Sequence, residues 1–540
     1  MSSKEDVYLN TILDNIPRIL SNLNRNQSSI NYGSFDRDFW HYKQNDISCA
    51  RKQEFVKVLM LLYLNKFKNN IYYKDKKIKD YIFAALDFTC SIQNNDGSFN
   101  EWYINEGSFV ATSFLTEALA DTLIHLKKNR ININNNYYSC LIKSCDWLIK
   151  NFELIVMNQA AGTILALHKV YMLTKTRKYK TYSEYYLNKF ITCQDEEGWW
   201  SEYDGPDIGY LTVTFNYLSE YYELSKNKKL LNALKKSSKF IHSFIIDPKI
   251  NIGGSYMSRN TNYIIPTGFI RLLKQDKYSE KILNYCHKNY LLRQSTLSIS
   301  LDERYSLYFS HFILLSGLLI KNKLKKYKFK SLKIQNSHLY YKNSKINIIK
   351  KNNFSLIVNF NKGGCFHIYA KKNILDNGIF LKNKNNILTT NVISKNNRLK
   401  WNKNSIQVNG RMYKINEGYF NTFTLVLFKI FQKIFIFNNF MRKKNKAFLR
   451  NLVVRQNKKT TNIFYSRKLI FHRNNIVCED IIYNPPSNSE IIYGNNGSSY
   501  SFVPSANFFN KNLLNSFYER SKSISIKSKQ PKKILRIFKI

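Results

Sequence analysis

The sequence predicts an N-terminal (α/α)6 toroid followed by a C-terminal antiparallel β-sandwich. Three features support this fold class. Residues 1–325 show the apolar spacing of successive helices, glycine–aromatic turns recur between those helices, and residues after 350 alternate in the manner of strands. The chain has 540 residues, of which 44% are hydrophobic, so it is long enough for two or three domains with separate cores.

Recurring turns divide the helical part into hairpins. The first reads Gln-Asn-Asn-Asp-Gly-Ser-Phe from Gln93, the second reads Gln-Asp-Glu-Glu-Gly-Trp-Trp from Gln194, and the third reads Gly-Gly-Ser-Tyr from Gly253. Each glycine can adopt the left-handed conformation that ends a helix, and the aromatic residue that follows can pack back on the hairpin. An open solenoid of helical pairs is the alternative, and the aromatic turns favour a closed ring.

Several of the helices that follow these turns begin with small or polar residues, which suits the close packing of an inner ring. Six inner helices are predicted, at 47–64, 108–126, 159–173, 208–224, 263–273 and 305–320. Six outer helices alternate with them, at 6–23, 76–92, 137–151, 179–193, 230–246 and 279–291. The toroid would therefore occupy residues 1–325 and contain the substrate site.

The remaining residues are assigned to a linker, a β-domain and a tail. Lys-rich residues 326–350 are expected to form the linker, 351–520 the β-sandwich-like domain, and 521–540 a basic tail. Strands are predicted at 354–360, 363–369, 405–408 and 468–472. Asn-Gly pairs at 377–378, 409–410 and 496–497 predict turns.

Lys and Arg outnumber Asp and Glu by 84 − 37 = 47. This excess favours an anionic partner, namely nucleic acid, an anionic membrane surface or an acidic polysaccharide, and of these an acidic polysaccharide or oligosaccharide is preferred here. Coding bias on solvated faces would explain the same excess. The eight cysteines form no C-x-x-C pair, no apolar leader opens the chain, and Lys429 and Lys433 interrupt the apolar run 422–437. We therefore expect a cytoplasmic protein without an integral membrane segment, metal or cofactor.

The candidate site lies where the inner helices begin. In an α/α ring these helices run roughly parallel, so their positive ends and free N–H groups gather on one face. The predicted catalytic residues are Tyr210, Asn158, Arg259 and His311. The predicted substrate contacts are Gln159, Glu106, Glu202, Asn260, Tyr263, Trp40 and Trp200. A helix-capping role for Asp207 and core positions for Trp200 and His311 are the plainer interpretations.

Two chemistries suit such a site. β-Elimination on a uronic acid needs a group that neutralises the sugar carboxylate, a base for the adjacent C–H and an acid for the leaving oxygen. Glycoside hydrolysis needs two carboxylates, which could come from Glu106, Glu202, Asp204 and Asp207. A non-catalytic carbohydrate-binding or assembly protein is a third alternative, and a terpenoid-cyclase-like toroid is disfavoured because no D-x-D-D run is present.

Several segments resemble the heparinase II/III-type polysaccharide lyases. Asn158-Gln159 is similar to the Asn-His or Asn-Gln pair that contacts the substrate carboxylate, and residues 198–210 resemble the segment that supplies a catalytic tyrosine. Residues 359–364 and 376–378 resemble the start of the family's C-terminal domain. Residues 37–40, 108–112 and 258–261 are similar to heparinase-like proteins of bacterial surface-polysaccharide gene clusters.

The resemblance implies a polysaccharide lyase that acts on an acidic, uronic-acid-containing glycan. It implies that Tyr210 is the acid or base and that Asn158 holds the carboxylate. The chain departs from the family pattern at Gln159, where many members have His, and at Glu197, where Asp usually precedes the glycine. His367 is a candidate for the histidine that these lyases carry in the β-domain.

Overall fold

The computed structural model describes residues 6–247, 249–250, 252–292, 303–324, 327–330, 335–371, 373–383, 386–402, 404–415, 421–434, 439–449, 459–494 and 522–540. Within these ranges the protein is an N-terminal α/α toroid followed by two antiparallel sheets. The predicted turn at 496–497 lies outside the described residues.

Six helical segments form the inner ring, and six hairpin partners pack outside them. The inner segments are a 3-10 helix at Ala50–Phe55 continued by α4 (Val56–Leu64), α6 (Phe109–Lys128), α8 (Met157–Thr174), α10 (Ile208–Ser225), α12 (Thr267–Arg271) and α14 (Glu303–Lys323). The outer segments are α1 (Asp6–Leu13) with α2 (Ile16–Leu20), α5 (Lys76–Ser91), α7 (Asn135–Lys150), α9 (Arg177–Thr192), α11 (Lys228–Ser243) and α13 (Lys277–Leu291). A short α3 (Arg37–Trp40) precedes the ring.

The ring is closed, which decides against an open solenoid. Each inner helix packs on the next, from α4 through α6, α8, α10 and α12 to α14, and α14 packs back on α4 and the 3-10 helix. Small residues permit the close approach, as at Gly162, where an added Cβ would lie 2.6 Å from the ring of Phe114. The inner helix predicted at 263–273 is only Thr267–Arg271, because Pro266 has no N–H and residues before a proline avoid the helical conformation.

The repeated Gln-x-x-x-Gly turns join neighbouring outer helices. Nε2 of Gln93 lies 2.9 Å from the carbonyl oxygen of Cys140 and 2.8 Å from Oγ of Ser144, both on α7. Nε2 of Gln194 makes the equivalent contacts to α11, at 2.9 Å to the carbonyl oxygen of Ala233 and 3.1 Å to Oγ of Ser237. The glycines of these turns have φ of +91° and +102° and press on the same helices. The predicted left-handed turns are therefore confirmed.

Two antiparallel sheets form the C-terminal part. The first contains β1 (Ser337–Tyr341), β2 (Ile346–Lys350), β3 (Ser355–Asn359), β4 (Cys365–Tyr369) and β5 (Ile374–Asp376), in that order. The second has the order β13-β12-β6-β7-β9-β10-β11-β14, with β8 beside β9. Its strands are β6 (Ile379–Asn383), β7 (Asn386–Thr389), β8 (Arg398–Asn402), β9 (Ser405–Ile415), β10 (Lys459–Phe471), β11 (Asn475–Tyr483), β12 (Ser489–Tyr493), β13 (Lys522–Ile526) and β14 (Lys532–Lys539).

The first sheet lies between the toroid and the second sheet. Ile348 and Ile357 point into the toroid core, whereas Leu356 and Val358, which alternate with Ile357 along β3, join the core between the sheets. This alternation is the expected consequence of the two-residue period of a strand. The predicted turn at 377–378 is confirmed, with φ of +95° at Gly378, whereas 409–410 lies inside β9.

Two of the predicted boundaries need correction. Residues 326–350, expected to form a linker, include β1 and β2, whose apolar residues were hidden in the sequence by the surrounding lysines. Residues 521–540, expected to be a basic tail, supply β13 and β14, and β14 pairs with β11. Arg536 of β14 forms ion pairs with buried Asp376 and Asp480, so its positive charge neutralises carboxylates in the core of the β-domain.

Two further helices, α15 (Thr422–Ile434) and α16 (Asn439–Leu449), follow β9. They contact the toroid through the ring of Phe428, which lies 5.8 Å from that of Tyr103, and through Nδ2 of Asn445, which lies 3.0 Å from the Tyr103 hydroxyl. Among the described helices, α6 alone is long and apolar enough to cross a membrane, and 89% of its apolar window is buried inside the protein.

Candidate active site

Asp207 organises the part of the ring mouth where α10 begins. It is the N-cap of α10 and accepts hydrogen bonds from the backbone N–H of Tyr210 at 3.2 Å and of Arg259 at 2.9 Å. The backbone N–H and the hydroxyl of Thr261 also donate to it. The capping role of Asp207 is thereby confirmed. Its carboxylate also fixes the loop that carries Arg259 against the start of α10.

Residues of the first sheet and of its β3–β4 turn also contact the loop that carries Arg259. Nζ of Lys362 donates to the carbonyl oxygen of Met257 over 2.6 Å and to the side chain of Asn260. Nε2 of His367 lies 2.7 Å from Oγ of Ser255, and burial, followed by the charge of Lys362, lowers the pKa of His367 to about 3. His367 is therefore a neutral imidazole at the domain interface. Lys362 and His367 brace the loop on which Arg259 is placed.

Asn158 and Glu202 form a buried pair beside this loop. The backbone N–H and Nδ2 of Asn158 donate to Oε1 of Glu202 over 2.9 Å and 3.0 Å. Burial raises the pKa of Glu202 to about 8, and the hydrogen bonds from Asn158 oppose the shift only in part. Glu202 therefore carries a proton at neutral pH. Its Oε2 has no hydrogen-bond partner within the described part of the chain.

Arg259 and Tyr210 complete this cluster. The guanidinium of Arg259 lies over the ring of Tyr203, 4.5 Å from the centroid, and its Nε finds no hydrogen-bond partner among the described residues. Burial raises the pKa of Tyr210 well above 10, although the charge of Arg259 opposes the shift. Tyr210 is therefore a neutral phenol that can donate a proton. Tyr203 and Asn260 have φ of +54° and +58°, a strained conformation of the kind that concentrates at functional sites.

A second polar cluster lies across the ring. Arg51 stacks 3.9 Å above the ring of Tyr308 and bonds Oε1 of Glu54 at 2.7 Å, while Arg304 lies 4.2 Å above Trp102. Burial raises the pKa of Glu54 to about 7, and Arg51 opposes the shift. The two clusters meet on α14, where the rings of Tyr305 and Tyr308 are 5.8 Å apart and Tyr305 lies close to Tyr210 and Arg259. Trp102, 60% exposed, is the aromatic face most open to a sugar.

Three predicted site residues are core residues, which is a correction. Trp200 is 1% exposed, and its Nε1 donates to the carbonyl oxygen of Phe190. Tyr263 is 2% exposed and packs on Phe309 and Gly209. His311 is 1% exposed, deep in the ring, and burial followed by the charge of Lys57 lowers its pKa well below 6.5. Aromatic and imidazole rings on the inner helices can lie either in the core or at the mouth of the ring. The sequence pattern did not distinguish these two positions.

The other predicted contacts divide between the mouth and its supports. Gln159 is partly exposed beside Asn158. Oε2 of Glu106 accepts the backbone N–H groups of Glu101 and Trp102, and so supports the turn that presents Trp102. Asn260 is buried against Lys362, and Nε1 of Trp40 donates to the carbonyl oxygen of Asn22.

One buried group of carboxylates in the ring has the arrangement of a cation site. Oxygens of Glu117, Asp121 and Glu220 lie within 4.8 Å of one another. Nζ of Lys169 lies 2.6 Å from Glu117, 2.6 Å from Asp121 and 2.5 Å from Glu220, and Lys57 binds the first two. Burial raises the pKa of Glu220, but Arg271 and Lys169 outweigh it and bring the pKa to about 2. The lysines thus occupy the position that a metal ion would take.

No protein-family model matches this sequence, and no curated protein matches it. The fold is similar to that of the Streptomyces coelicolor chondroitin AC lyase solved with chondroitin sulphate, with a TM-score of 0.53 and 7% identity over 90% of this chain and 68% of that one. Heparinase III gives a TM-score of 0.46 at 10% identity, over 88% of this chain and 80% of that one. A β-L-arabinofuranosidase from Geobacillus stearothermophilus gives 0.41 at 9% identity, over 100% of this chain and 96% of that one.

Similarity at this level of identity concerns the fold alone. The chondroitin AC lyase match extends over both the toroid and the sheets, since it covers 90% of the chain. It agrees with the fold class that the sequence predicts, an α/α toroid with a C-terminal β-sandwich.

Proposed function

We propose that this protein is a polysaccharide lyase that cleaves an acidic, uronic-acid-containing polysaccharide by β-elimination. The proposal is supported by the contacts that connect the surroundings of Asn158, Arg259 and Tyr210: Asp207 binds the backbone N–H groups of Tyr210 and Arg259, and Glu202 joins Asn158 to the loop of Arg259. A guanidinium, an amide and a neutral phenol are the three kinds of group that this reaction needs around a uronate. The chondroitin AC lyase that shares this fold was solved with chondroitin sulphate, which also favours an acidic glycan.

Arg259 and Asn158 suit the uronate carboxylate. A guanidinium can donate two parallel hydrogen bonds to a carboxylate, and the Nε of Arg259 is available for one of them. The backbone N–H of Arg259 is held by Asp207 and its guanidinium is half-buried over the ring of Tyr203, so it needs little reorganisation to bind an anion. Glu202 fixes Asn158 by accepting hydrogen bonds from its backbone N–H and from its Nδ2 and, when protonated, adds no charge that would repel the substrate.

The elimination then transfers two protons, one from C5 to a base and one from Tyr210 to the leaving oxygen, and shifts two electron pairs. A base removes the proton on C5, next to the neutralised carboxylate, and the C–H electrons form the C4=C5 double bond. The C4–O bond breaks, and its electrons go to the leaving oxygen. Tyr210, a neutral phenol in the free protein, is placed to protonate that oxygen. The products are an unsaturated uronate and a new hydroxyl end.

Two-carboxylate hydrolysis is the less favoured mechanism for this site. Asp207 accepts four hydrogen bonds at the start of α10. Its carboxylate oxygens are therefore occupied and are not free to activate a water molecule or to protonate a sugar. Glu106 accepts two backbone N–H groups in its own turn. Of the four acids predicted for hydrolysis, Glu202 and Asp207 both have a pKa raised by burial, but the carboxylates of Asp207 and Glu106 are engaged in hydrogen bonds to the backbone.

The direct test is incubation with a panel of uronic-acid-containing polysaccharides, followed by ultraviolet absorbance of the unsaturated product. Tyr210→Phe keeps the ring but removes the proton donor, and it should slow the reaction by roughly 10²–10⁴. Arg259→Lys should raise KM because one ammonium cannot replace the paired hydrogen bonds. Tyr182→Phe, on the partly exposed outer face of α9, is the matched control and should keep full activity.

Two outcomes would count against the proposal. A reducing-end product without the unsaturated chromophore, abolished by Glu202→Gln and not by Tyr210→Phe, would indicate hydrolysis. Binding of the glycans without any product would indicate a carbohydrate-binding protein.

A further inference from the structure

The helices α15 and α16 expose more apolar surface than a soluble protein normally leaves in contact with water. Exposed large apolar side chains on them have exposed fractions between 43% and 70%. The outer face consists of Phe423, Val426, Leu427, Ile430, Ile434, Phe440 and Phe448. In α15 these residues recur at three- and four-residue spacing, so they form one stripe along the helix.

The opposite sides of the two helices hold them to the toroid. In α15, Phe428 stacks edge-on against Tyr103, and the carbonyl oxygen of Gln432 accepts a hydrogen bond from Asn105. In α16, Arg442 pairs with Asp96, and Asn445 donates to Tyr103. The apolar stripe is therefore not the packing face of these helices. It points away from the protein while the inner side is already occupied.

The charges beside the stripe identify what would cover it. Lys433 and Lys443 are exposed beside the apolar residues, and Nζ of Lys444 lies 4.5 Å from the ring centroid of Phe440. Residues 421–449 contain six Lys or Arg and no Asp or Glu. A second copy of the same face would bring lysines against lysines, which opposes self-association. An anionic lipid bilayer fits both the apolar stripe and the lysines beside it, because its acyl chains can accept the apolar side chains and its anionic headgroups can bind the lysines.

We propose that α15 and α16 dock the protein on an anionic membrane surface, with the outer face inserted at the level of the lipid headgroups. This inference goes beyond the proposed chemistry and does not depend on it. The toroid residues that hold the helices, Asp96, Tyr103 and Asn105, precede α6 on the side where the inner helices begin. Docking would therefore bring the mouth of the ring close to the membrane, within reach of glycans attached there.

Flotation of the full chain with vesicles provides the test. One set of vesicles contains phosphatidylcholine and phosphatidylglycerol in equal parts, and the other contains phosphatidylcholine alone. The protein should float with the anionic vesicles and bind the neutral ones much more weakly. A triple variant, Phe423→Ser with Leu427→Ser and Ile430→Ser, should lose at least about tenfold in affinity, because binding strength scales with the apolar area that the helices insert.

Matched variants separate insertion from general effects. Ile30→Ser with Ile71→Ser changes two exposed apolar residues of the toroid, 95% and 79% exposed, and should leave binding unchanged. Lys443→Glu with Lys444→Glu should weaken binding to anionic vesicles only. Thermal unfolding should be the same for all variants, because the substituted side chains do not hold the helices to the toroid.

Three results would overturn the proposal. They are no flotation with anionic vesicles, equal flotation of the triple variant, and a dimer in light scattering that the triple variant abolishes. The last would show that a second copy covers the outer face. Loss of glycan cleavage would not affect the result, since flotation is measured without substrate.

Discussion

The side-chain amide of Asn158 donates to Oε1 of Glu202 over 3.0 Å, and the backbone N–H of Asn158 donates to the same oxygen over 2.9 Å. The backbone carbonyl of Glu202 accepts the hydroxyl of Ser258 at 2.6 Å. One residue therefore joins the start of α8 to the loop that carries Arg259. Glu202 is 1% exposed, and its carboxyl group is protonated at neutral pH.

Replacing Glu202 by Gln should remove a pH dependence of stability. Burial raises the pKa of Glu202 from 4.5 to about 8 in the folded protein. Because the folded state holds the proton more tightly, the contribution of Glu202 to stability is complete below about pH 4.5 and is lost as the pH rises through about 8. The Tm of the wild type should therefore fall across this interval, and that of Glu202→Gln, which cannot ionise, should fall less.

Differential scanning calorimetry across the same pH range measures the effect. Glu196→Gln, at an exposed carboxylate two residues before Gly198, is the control and should follow the wild type. Parallel decline of Tm in the wild type and in Glu202→Gln would mean that Glu202 is ionised in the folded protein.

The hairpin repeat was predictable because the conformation of a turn is determined by the few residues within it. Gly97 and Gly198 adopt positive φ as their turns require, and the preceding glutamines recur at the same distance from them. The start of α12 was misplaced, and the strands at 337–350 were read as a linker. In both cases short apolar runs depend on partners distant in sequence, namely α10 and α14 for α12 and the toroid core for β2.

The candidate site was predictable only in part. Helix starts indicated Asn158 and Tyr210, because ring closure brings such positions to one face. Arg259 was also predicted at a helix start, which is wrong: it lies in the loop before α12, and Asp207 holds that loop at the start of α10. Whether the other predicted residues belong to the site depends on their burial, and the spacing of residues in one sequence does not show which side chains are buried. Trp200 and Tyr263 face the core, whereas Glu54, which no motif marked, is a buried acid with a pKa near 7 beside Arg51.

Lys169→Met should destabilise the toroid by about 3–5 kcal/mol, the usual cost of removing one partner from a buried ion pair. Nζ of Lys169 lies within 2.6 Å of Glu117, Asp121 and Glu220. Without it, three buried carboxylates would share the charges of Lys57 and Arg271. Urea unfolding measures the loss, and adding Glu117→Gln to Lys169→Met should recover part of it by removing one unpaired charge.

Lys180→Met provides the comparison at the surface. The side chain of Lys180 is 47% exposed and lies 3.9 Å from Glu184, so its loss should cost less than about 1 kcal/mol. Equal costs for the two substitutions, or a Tm of the wild type that a metal chelator lowers, would contradict the assignment of Lys169 as the cation of this cluster.

Gln194→Ala should weaken the joint between α9 and α11. Nε2 of Gln194 is 2.9 Å from the carbonyl oxygen of Ala233 and 3.1 Å from both the carbonyl oxygen of Gly198 and Oγ of Ser237. Alanine removes these three hydrogen bonds from a partly buried turn, and the free energy of unfolding should fall by about 1–2 kcal/mol. Gln194→Glu should cost more, because a carboxylate would face carbonyl oxygens.

The same substitution at Gln93, whose Nε2 makes the equivalent contacts to α7, should cost a similar amount. The two turns lie on different hairpins and share no hydrogen-bond partner, so the double variant should lose nearly the sum of the single effects, to within about 0.5 kcal/mol. Urea denaturation of the single and double variants measures this, with Gln44→Ala, at an exposed side chain, as the control. If Gln194→Ala and Gln44→Ala unfold at the same urea concentration, the glutamine is not what joins the outer helices, and the buried Ser237 hydroxyl, which donates to the Gly198 carbonyl oxygen over 2.6 Å, would hold the turn by itself.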